Sequence, residues 1–304
     1  MNRVSTIDDY LKVSAHPLRQ VGGRCKAIKW RCDSAHPLVT IFTAVKNRKD
    51  TLPQTIMSVL SQSYPNIEYI VVDGASTDGT LEVIKQFDDK IDLWISEPDC
   101  GTSDAFNKAI SMAQGDFIFW LSSDDWIAPD FIKTAVETFL SSGADFIFGN
   151  MVMYKNGDPV AIYKGEKNYV KSLMSGYPRF NFPTMVVKKE CFQKVGLIDM
   201  TYGYVADYEW VLRLHLNGEK GSYSSSLVVH RRVEGVGESH PVRSVLEHLR
   251  LSRQHGLPVT NAVTAHLYYF ARRGVGHLTK LFLPDIIYKK LKRAVRRECS
   301  VPLD

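Results

Sequence analysis

A chain of 304 residues, 44% hydrophobic and 23% charged, is long enough to bury a full core and suits one large α/β domain with appendages better than two equal domains. The net charge is only +5, yet the residues from Pro241 onward hold twelve Lys and Arg against four Asp and Glu, so the rest of the chain is slightly acidic. Basicity confined to one end argues against a groove that tracks nucleic acid and points to an anionic membrane surface.

Five scattered cysteines, Cys25, Cys32, Cys100, Cys191 and Cys299, form neither a disulfide framework nor a zinc pattern and suit a reducing compartment. The opening MNRVSTIDDYLKV places charges where a signal peptide needs its apolar run, and no apolar stretch is long enough to span a bilayer. The expectation is a cytoplasmic protein, peripheral on the cytoplasmic face of the membrane.

Residues 1–37 lack strong periodicity and read as an extension, with Ser5 and Thr6 placed to open a short helix. The pentapeptide SAHPL occurs there twice, which reads as two extended His-Pro turns rather than a repeat architecture. From Leu38 the runs LVTIFTAV, EYIVVD, DLWI, DFIFWL and ADFIFGN are continuously apolar and β-rich, as strands covered on both faces must be. Between them lie helical stripes: Leu52, Ile56, Val59 and Leu60; then Ala105, Phe106, Ala109, Ile110 and Ala113; then Phe131, Ile132, Ala135, Val136 and Phe139. Alternation of this kind predicts an α/β fold with a mostly parallel sheet between helices, and ligands beyond the carboxyl ends of its strands.

After Met151 the pattern loosens. A strand is expected over Thr184 to Lys188, a helix from about Tyr208 to Asn217, and a strand near Ser226 to His230. The segments VRSVLEHLRLSRQ, NAVTAHLYYFARR and DIIYKKLKRAVRR predict basic helices over 241–304, behind a central domain of 38–240.

Polar motifs fall at the strand ends. TAVKNR offers Thr43, Ala44 and Asn47 to a planar base, although an ordinary βα loop has the same look. EYIVVD ends at Asp73, whose carboxylate is able to accept the imide N–H of a uracil; Ser76, Thr77 and Asp78 after it read as turn and helix-cap chemistry. EPDCGTSDAFNKAI sets Asp99, Gly101, Asp104, Asn107 and Lys108 around a loop and a helix start. They suit a phosphate or ribose, or else Asp104 only caps the helix and Asn107 and Lys108 are solvated. FIFWLSSDDW places Ser123, Asp124 and Asp125 after a strand; adjacent carboxylates repel unless a cation compensates, and Mg²⁺ or Mn²⁺ bridging a diphosphate is one such cation. In YVADYEWVLRL, Asp207 opens a helix, as a cap or as a general base. His230, Arg231 and Arg232 are weaker candidates for the diphosphate, and His215 reads as structural.

With these residues in view, the chain resembles the family 2 inverting glycosyltransferases of GT-A fold. The likeness runs from PLVTIFTAVKNRKDTLPQTIMSVLSQSYPNIEYIVVDGASTDGT through EPDCGTSDAFNKAI and WLSSDD, a form of the DxD motif, to ADYEWVLRL. It implies that Ala44, Asn47 and Asp73 surround the nucleotide base, Asp124 sits near the ribose and diphosphate, Asp125 coordinates Mn²⁺ or Mg²⁺, and Asp207 is the catalytic base. It implies transfer of one sugar from a nucleoside diphosphate sugar, favouring UDP, to a glycan or lipid-linked glycan in bacterial surface-polysaccharide synthesis. Lys46 stands where many relatives have an aromatic residue, the motif's first acid is Ser123, and FNFPTMV lacks a His often found there. The Gln-x-x-Arg-Trp motif of processive members is absent. A non-catalytic nucleotide-sugar-binding scaffold of the same fold and, further off, a nucleotidyltransferase are the alternatives; TAVKNR makes a poor phosphate loop for the latter.

Overall fold

The computed structural model describes residues 17–23, 36–176, 180–233, 241–260 and 263. The helix expected near Ser5, most of both helices expected beyond residue 260, and parts of both SAHPL copies lie outside these residues. In chain order the elements are β1 (Gln20–Gly22), β2 (Val39–Val45), α1 (Leu52–Leu60), β3 (Ile67–Asp73), α2 (Thr80–Gln86), β4 (Leu93–Ser96), α3 (Thr102–Met112), β5 (Phe117–Trp120), β6 (Asp125–Ile127) and α4 (Phe131–Ser142). They continue with β7 (Phe146–Lys155), β8 (Asp158–Tyr163), α5 (Tyr169–Met174), a 3₁₀ turn at Phe182–Thr184, β9 (Val186–Lys188), α6 (Lys189–Val195), α7 (Ala206–Leu216), β10 (Gly221–Arg232) and α8 (Pro241–Gln254).

The strands form one ten-stranded sheet in the order β1-β4-β3-β2-β5-β9-β7-β10-β6, with β8 added to β7. β4, β3, β2 and β5 are mutually parallel, and so are β7 and β10. β9 runs antiparallel between β5 and β7, joining the two parallel blocks, and β1, β6 and β8 pair antiparallel. Both faces are covered. Ile41, Tyr69, Val71 and Phe119 pack under α1, α2 and α4, whereas Phe42, Ile70, Val72, Ile118 and Trp120 pack under α3, α5, α6, α7 and α8. Successive residues of one strand serve opposite layers, which is why these strands are apolar throughout rather than alternating.

Strand order positions the site. The chain steps from β2 to β3 to β4 in one direction, then returns to lay β5 on the other side of β2. The loops after β2 and β5 therefore diverge from a common point at the carboxyl edge and leave a crevice between them.

Two segments join more closely than an extension and a tail suggest. β1 continues the sheet beyond β4, with Gln20, Val21 and Gly22 opposite Ser96, Ile95 and Trp94. At the other end, α8 packs Leu251 into the layer that contains α7.

Candidate functional site

The loops after β2 and β3 are tied together before any ligand arrives. Asn47 takes a left-handed φ of 54° and Ala75 a φ of 56°. Asn tolerates that region; for Ala it costs about 1–2 kcal/mol, a kind of strain that collects at ligand sites. The Asn47 backbone N–H donates to Ser76 Oγ (2.8 Å) and its Oδ1 accepts from the Thr77 N–H (2.9 Å). Asp78 accepts from the N–H and hydroxyl of Thr80 at the start of α2 (2.9 and 2.6 Å), so Asp78 has the capping role expected of it.

Asp73 sits at the end of β3 with its side chain buried. Its carboxylate accepts from the Ser96 hydroxyl (2.6 Å), the Ser76 N–H (3.2 Å) and the Ser76 hydroxyl. Three donors from two loops fix its orientation. Ser96 escaped sequence reasoning; its position as the last residue of β4, the strand beside β3, was the only available signal. Ala44 is half-buried on the same edge, but Thr43 is fully buried and accepts from the Tyr69 hydroxyl (3.2 Å), on the face away from Ala44. Thr43 is thus withdrawn from the crevice by the alternation of its strand.

In the third loop Asp99 lies directly against Gly74: a Cβ built on Gly74 would sit 2.2 Å from Asp99 Oδ2. Gly101, at a φ of 108°, donates its N–H to Asp99 Oδ1 (3.0 Å) and turns the chain into α3. The next three candidates are neither solvated nor displayed. Asp104 accepts from the Cys100 N–H (3.0 Å). Asn107 is buried and exchanges bonds with the backbone of Ile198 at 2.9 and 3.0 Å. The Lys108 ammonium is buried among Glu97 (2.8 Å), Asp104 (3.2 Å) and the Pro98 carbonyl (3.1 Å), and Arg19 donates to the same Glu97 (2.6 Å). Asn107 and Lys108 hold the loop, against the expectation that their side chains face a phosphate or ribose.

The acid pair lies across the crevice. α1 grips its backbone: the Thr51 hydroxyl donates to the Ser123 carbonyl (2.9 Å) and the Thr55 hydroxyl to the Asp125 carbonyl (2.8 Å). Ser123 itself is buried. Asp125 opens β6, which pairs with β10 so that Asp125 faces Arg231. Both its oxygens accept from Arg231 Nε (3.1 and 3.2 Å), and Arg231 Nη2 reaches Ser122 Oγ (3.2 Å). Burial pushes the Asp125 carboxyl up to about 6; Arg231 works against that shift, and the neighbouring charge of Asp124 adds to it. Asp124 is half-buried and has no hydrogen-bond or ion-pair partner among the described residues.

Oxygen-only donors set side by side, one of them uncommitted, fit a hard divalent cation. Among the described residues no group of three or more His, Cys, Asp and Glu is arranged for a metal ion. The remaining ligands would therefore come from the diphosphate and water. Of the two, Asp124 has the freer carboxylate, while Asp125 shares its own with Arg231.

Asp207 stands in the first turn of α7, where its Oδ1 accepts from the Tyr208 N–H (2.8 Å). Its side chain keeps contact with solvent, yet surrounding protein desolvates it enough to raise its carboxyl above the ordinary range, and the charge of Arg231 opposes that rise. Arg231 thus acts on both Asp125 and Asp207, placing the acid pair and the predicted base in one electrostatic neighbourhood. His230 is turned elsewhere, stacked on Trp126 (centroids 5.5 Å apart) with Nδ1 3.2 Å from the Tyr154 hydroxyl; burial lowers its pKa. Arg232 lies over Trp126 and bonds Gln54.

Comparison with known proteins bears on the family and the fold. The family model described as "Glycosyl transferase family 2" matches residues 40–190. A Bacillus subtilis protein named "Putative teichuronic acid biosynthesis glycosyltransferase TuaG" is 36% identical over 128 residues, which is 41% of this chain and 51% of that protein. The Escherichia coli "UDP-Glc:alpha-D-GlcNAc-diphosphoundecaprenol beta-1,3-glucosyltransferase WfaP" is 24% identical over 242 residues, 78% of this chain and 94% of the relative. In fold the chain is similar to the mannosyltransferase PcManGT from Pyrobaculum calidifontis, solved with GDP-Man and Mn²⁺, at a TM-score of 0.56 and 17% identity over 90% of this chain and 80% of the other.

Proposed function

Because the chain belongs to glycosyl transferase family 2, we propose that it is a metal-dependent inverting enzyme that moves one sugar from a UDP-sugar to a lipid-linked glycan acceptor in surface-polysaccharide synthesis. The observation that carries this reading is the carboxylate pair after β5, its backbone held by Thr51 and Thr55 and Asp125 paired with Arg231, at the same sheet edge as the strand-end Asp73. UDP and a lipid-linked acceptor are suggested by the name of the E. coli relative, whose match extends over most of its length.

In this mechanism Asp73 accepts the uracil imide N–H, and the loop from Asp99 to Gly101 lies along the ribose. A divalent ion held by Asp124 and Asp125 would neutralise the charge that develops on the leaving diphosphate. Asp207 takes the proton of the acceptor hydroxyl; the new C–O bond forms at the anomeric carbon as the bond to the diphosphate breaks on the opposite face. The configuration inverts, and UDP departs. Arg231 favours the ionised form of Asp207, which a base requires, against the desolvation that opposes it.

No helix among the described residues is long and apolar enough to cross a membrane, and a peripheral attachment on the cytoplasmic side is the placement we favour. A nucleotidyltransferase loses to the family match.

The test is thermal denaturation with UDP, GDP, dTDP or CDP, each with and without Mn²⁺, because a ligand that binds only the folded state raises its melting temperature. A shift that needs both UDP and Mn²⁺ is expected. Asp125→Ala should abolish it, whereas Asp207→Asn should keep it and lose sugar transfer. UDP-sugar binding without turnover in the wild type, across a broad acceptor screen, would instead identify a scaffold.

A further inference from the structure

The helix α8 follows the last strand of the sheet and contributes nothing to the crevice directly, yet its contacts gather around one short stretch of chain. The segment from Asp199 to Val205 leads into α7. Within it the consecutive N–H groups of Gly203 and Tyr204 point to a single carboxylate oxygen, Glu247 Oε2, at 2.9 and 2.7 Å. Glu247 is buried, and its nearest cation is Arg243 (3.4 Å), an exposed residue of its own helix. A buried carboxylate needs strong donors, and two converging peptide N–H groups supply them.

The neighbours of Glu247 on α8 hold the other side of the same stretch. The His248 ring packs edge-on to Tyr208 (centroids 5.0 Å apart), and Gln254 Oε1 accepts from the Tyr202 hydroxyl (2.9 Å). Just past the end of α8, His255 Nε2 lies 3.3 Å from Glu209 Oε1 without forming a hydrogen bond. Residues 203, 204, 208 and 209 are therefore braced on α8, and the residue between them that keeps its solvent contact is Asp207.

We infer that Glu247 is a positioning residue for Asp207, acting through the Gly203–Tyr204 backbone to set the first turn of α7. The inference rests on Asp207 being the base. Only two residues, Val205 and Ala206, separate Tyr204 from Asp207, so a rotation of the 203–204 peptide is carried into the helix start. Loss of the anchor costs rate rather than donor affinity, because Asp73, Asp99 and the acid pair belong to other loops.

The probe is UDP-glucose with Mn²⁺, with water standing in for the acceptor hydroxyl and UDP release as the readout; UDP affinity is measured separately by calorimetry. Glu247→Ala is expected to lower kcat by about 10- to 100-fold, the range that a base displaced by about 1 Å produces, with UDP affinity within about twofold of wild type. Glu247→Gln, whose amide oxygen takes the same two N–H groups, should recover most of the rate. In an Asp207→Asn background Glu247→Ala should add little, since both act on one step. Should Glu247→Ala fail to fold, Glu247→Asp, which draws the carboxylate back by one methylene, must show the same selective loss. A wild-type kcat in these variants, a parallel loss of UDP affinity, or effects that multiply with Asp207→Asn would overturn the inference. Wild-type turnover by Asp207→Asn alone would overturn the base assignment and this inference with it.

Discussion

Gly74 shows how a single missing side chain shapes the donor end of the crevice. It follows Asp73, and its lack of a Cβ is what lets the Asp99 carboxylate close over the backbone at a distance where a methyl group would overlap it. Its backbone is not among the positive-φ glycines, so alanine meets no conformational obstacle there. Gly74→Ala should therefore leave the melting temperature within a few degrees of wild type while moving Asp99 aside and weakening UDP binding roughly tenfold, equivalent to about 1.4 kcal/mol. Calorimetric titration decides it: unchanged affinity would remove Asp99 from the donor site. Residue by residue, the sequence identified polar side chains at strand ends but not their direction. Asp73 was legible as a strand-end carboxylate but its Ser76 and Ser96 partners were not, and Asn107 and Lys108 were misread because a helix start looks alike whether its polar groups face a ligand or a neighbouring loop. Their partners, Ile198 and Glu97, come from other parts of the chain. Arg231, the partner of Asp125, was equally hidden, since nothing in HRR says which of the three faces Asp125.

Strands and helices were most legible where each belongs to a local β-α-β step. The parallel block β4-β3-β2-β5 follows from runs of apolar residues because both of its faces are covered by helices nearby in sequence. β6 was missed for the opposite reason: it is three residues long and reads as the entry to α4, and its partner β10 lies about a hundred residues away; β8, by contrast, pairs locally with β7 across the Asn156-Gly157 turn, a hairpin signal that was passed over. Long-range pairing leaves no local period. Within the legible block, Glu68 on β3 fixes how the strands meet. Its Oε2 accepts from the Thr40 hydroxyl of β2 (2.5 Å) and from the Gln114 N–H ahead of β5 (2.7 Å), and Thr40 Oγ1 in turn accepts from the Gly115 N–H (2.9 Å). Burial raises the Glu68 carboxyl above its ordinary 4.5, although both hydrogen bonds oppose the shift. A carboxyl whose pKa is higher folded than unfolded holds its proton more tightly in the native state. Its contribution is then fully present below the unfolded value and is lost as pH rises through the folded one. Glu68→Gln is neutral throughout, so its stability relative to wild type should improve as pH is raised from about 4 to about 8. Melting curves at the two ends check this, and a difference independent of pH would show that folding leaves the Glu68 carboxyl at its ordinary pKa.

At the scale of the whole molecule the charge is arranged along the chain and not around the crevice. The surplus of Lys and Arg begins with α8, whose one acid, Glu247, is turned inward and buried, leaving Arg243, Leu246, Arg250 and Arg253 exposed. Three exposed guanidinium groups around an exposed leucine, with Arg243 leaning on Glu247 and Tyr204 and Arg250 on Tyr202, suit a surface that is both anionic and apolar just beneath, as a bilayer of acidic lipids is. The same helix braces the segment that carries Asp207, so attachment through its outer side would hold the acceptor end of the crevice near the membrane, where a lipid-linked glycan would present its hydroxyl. Each basic residue near such a surface contributes about 1 kcal/mol, and the attraction is screened over about 10 Å at 0.1 M salt. The full chain should therefore sediment with phosphatidylglycerol vesicles at low ionic strength, release at about 0.5 M salt, and ignore phosphatidylcholine vesicles under either condition. Arg250→Glu with Arg253→Glu should weaken sedimentation; because Arg250 also lies over Tyr202 and bonds Thr201, vesicle binding and not turnover is the readout. Sedimentation unchanged by the double reversal would move the contact off α8 and onto the basic residues beyond it, and failure of the wild type to bind phosphatidylglycerol at low salt would end the case for peripheral attachment.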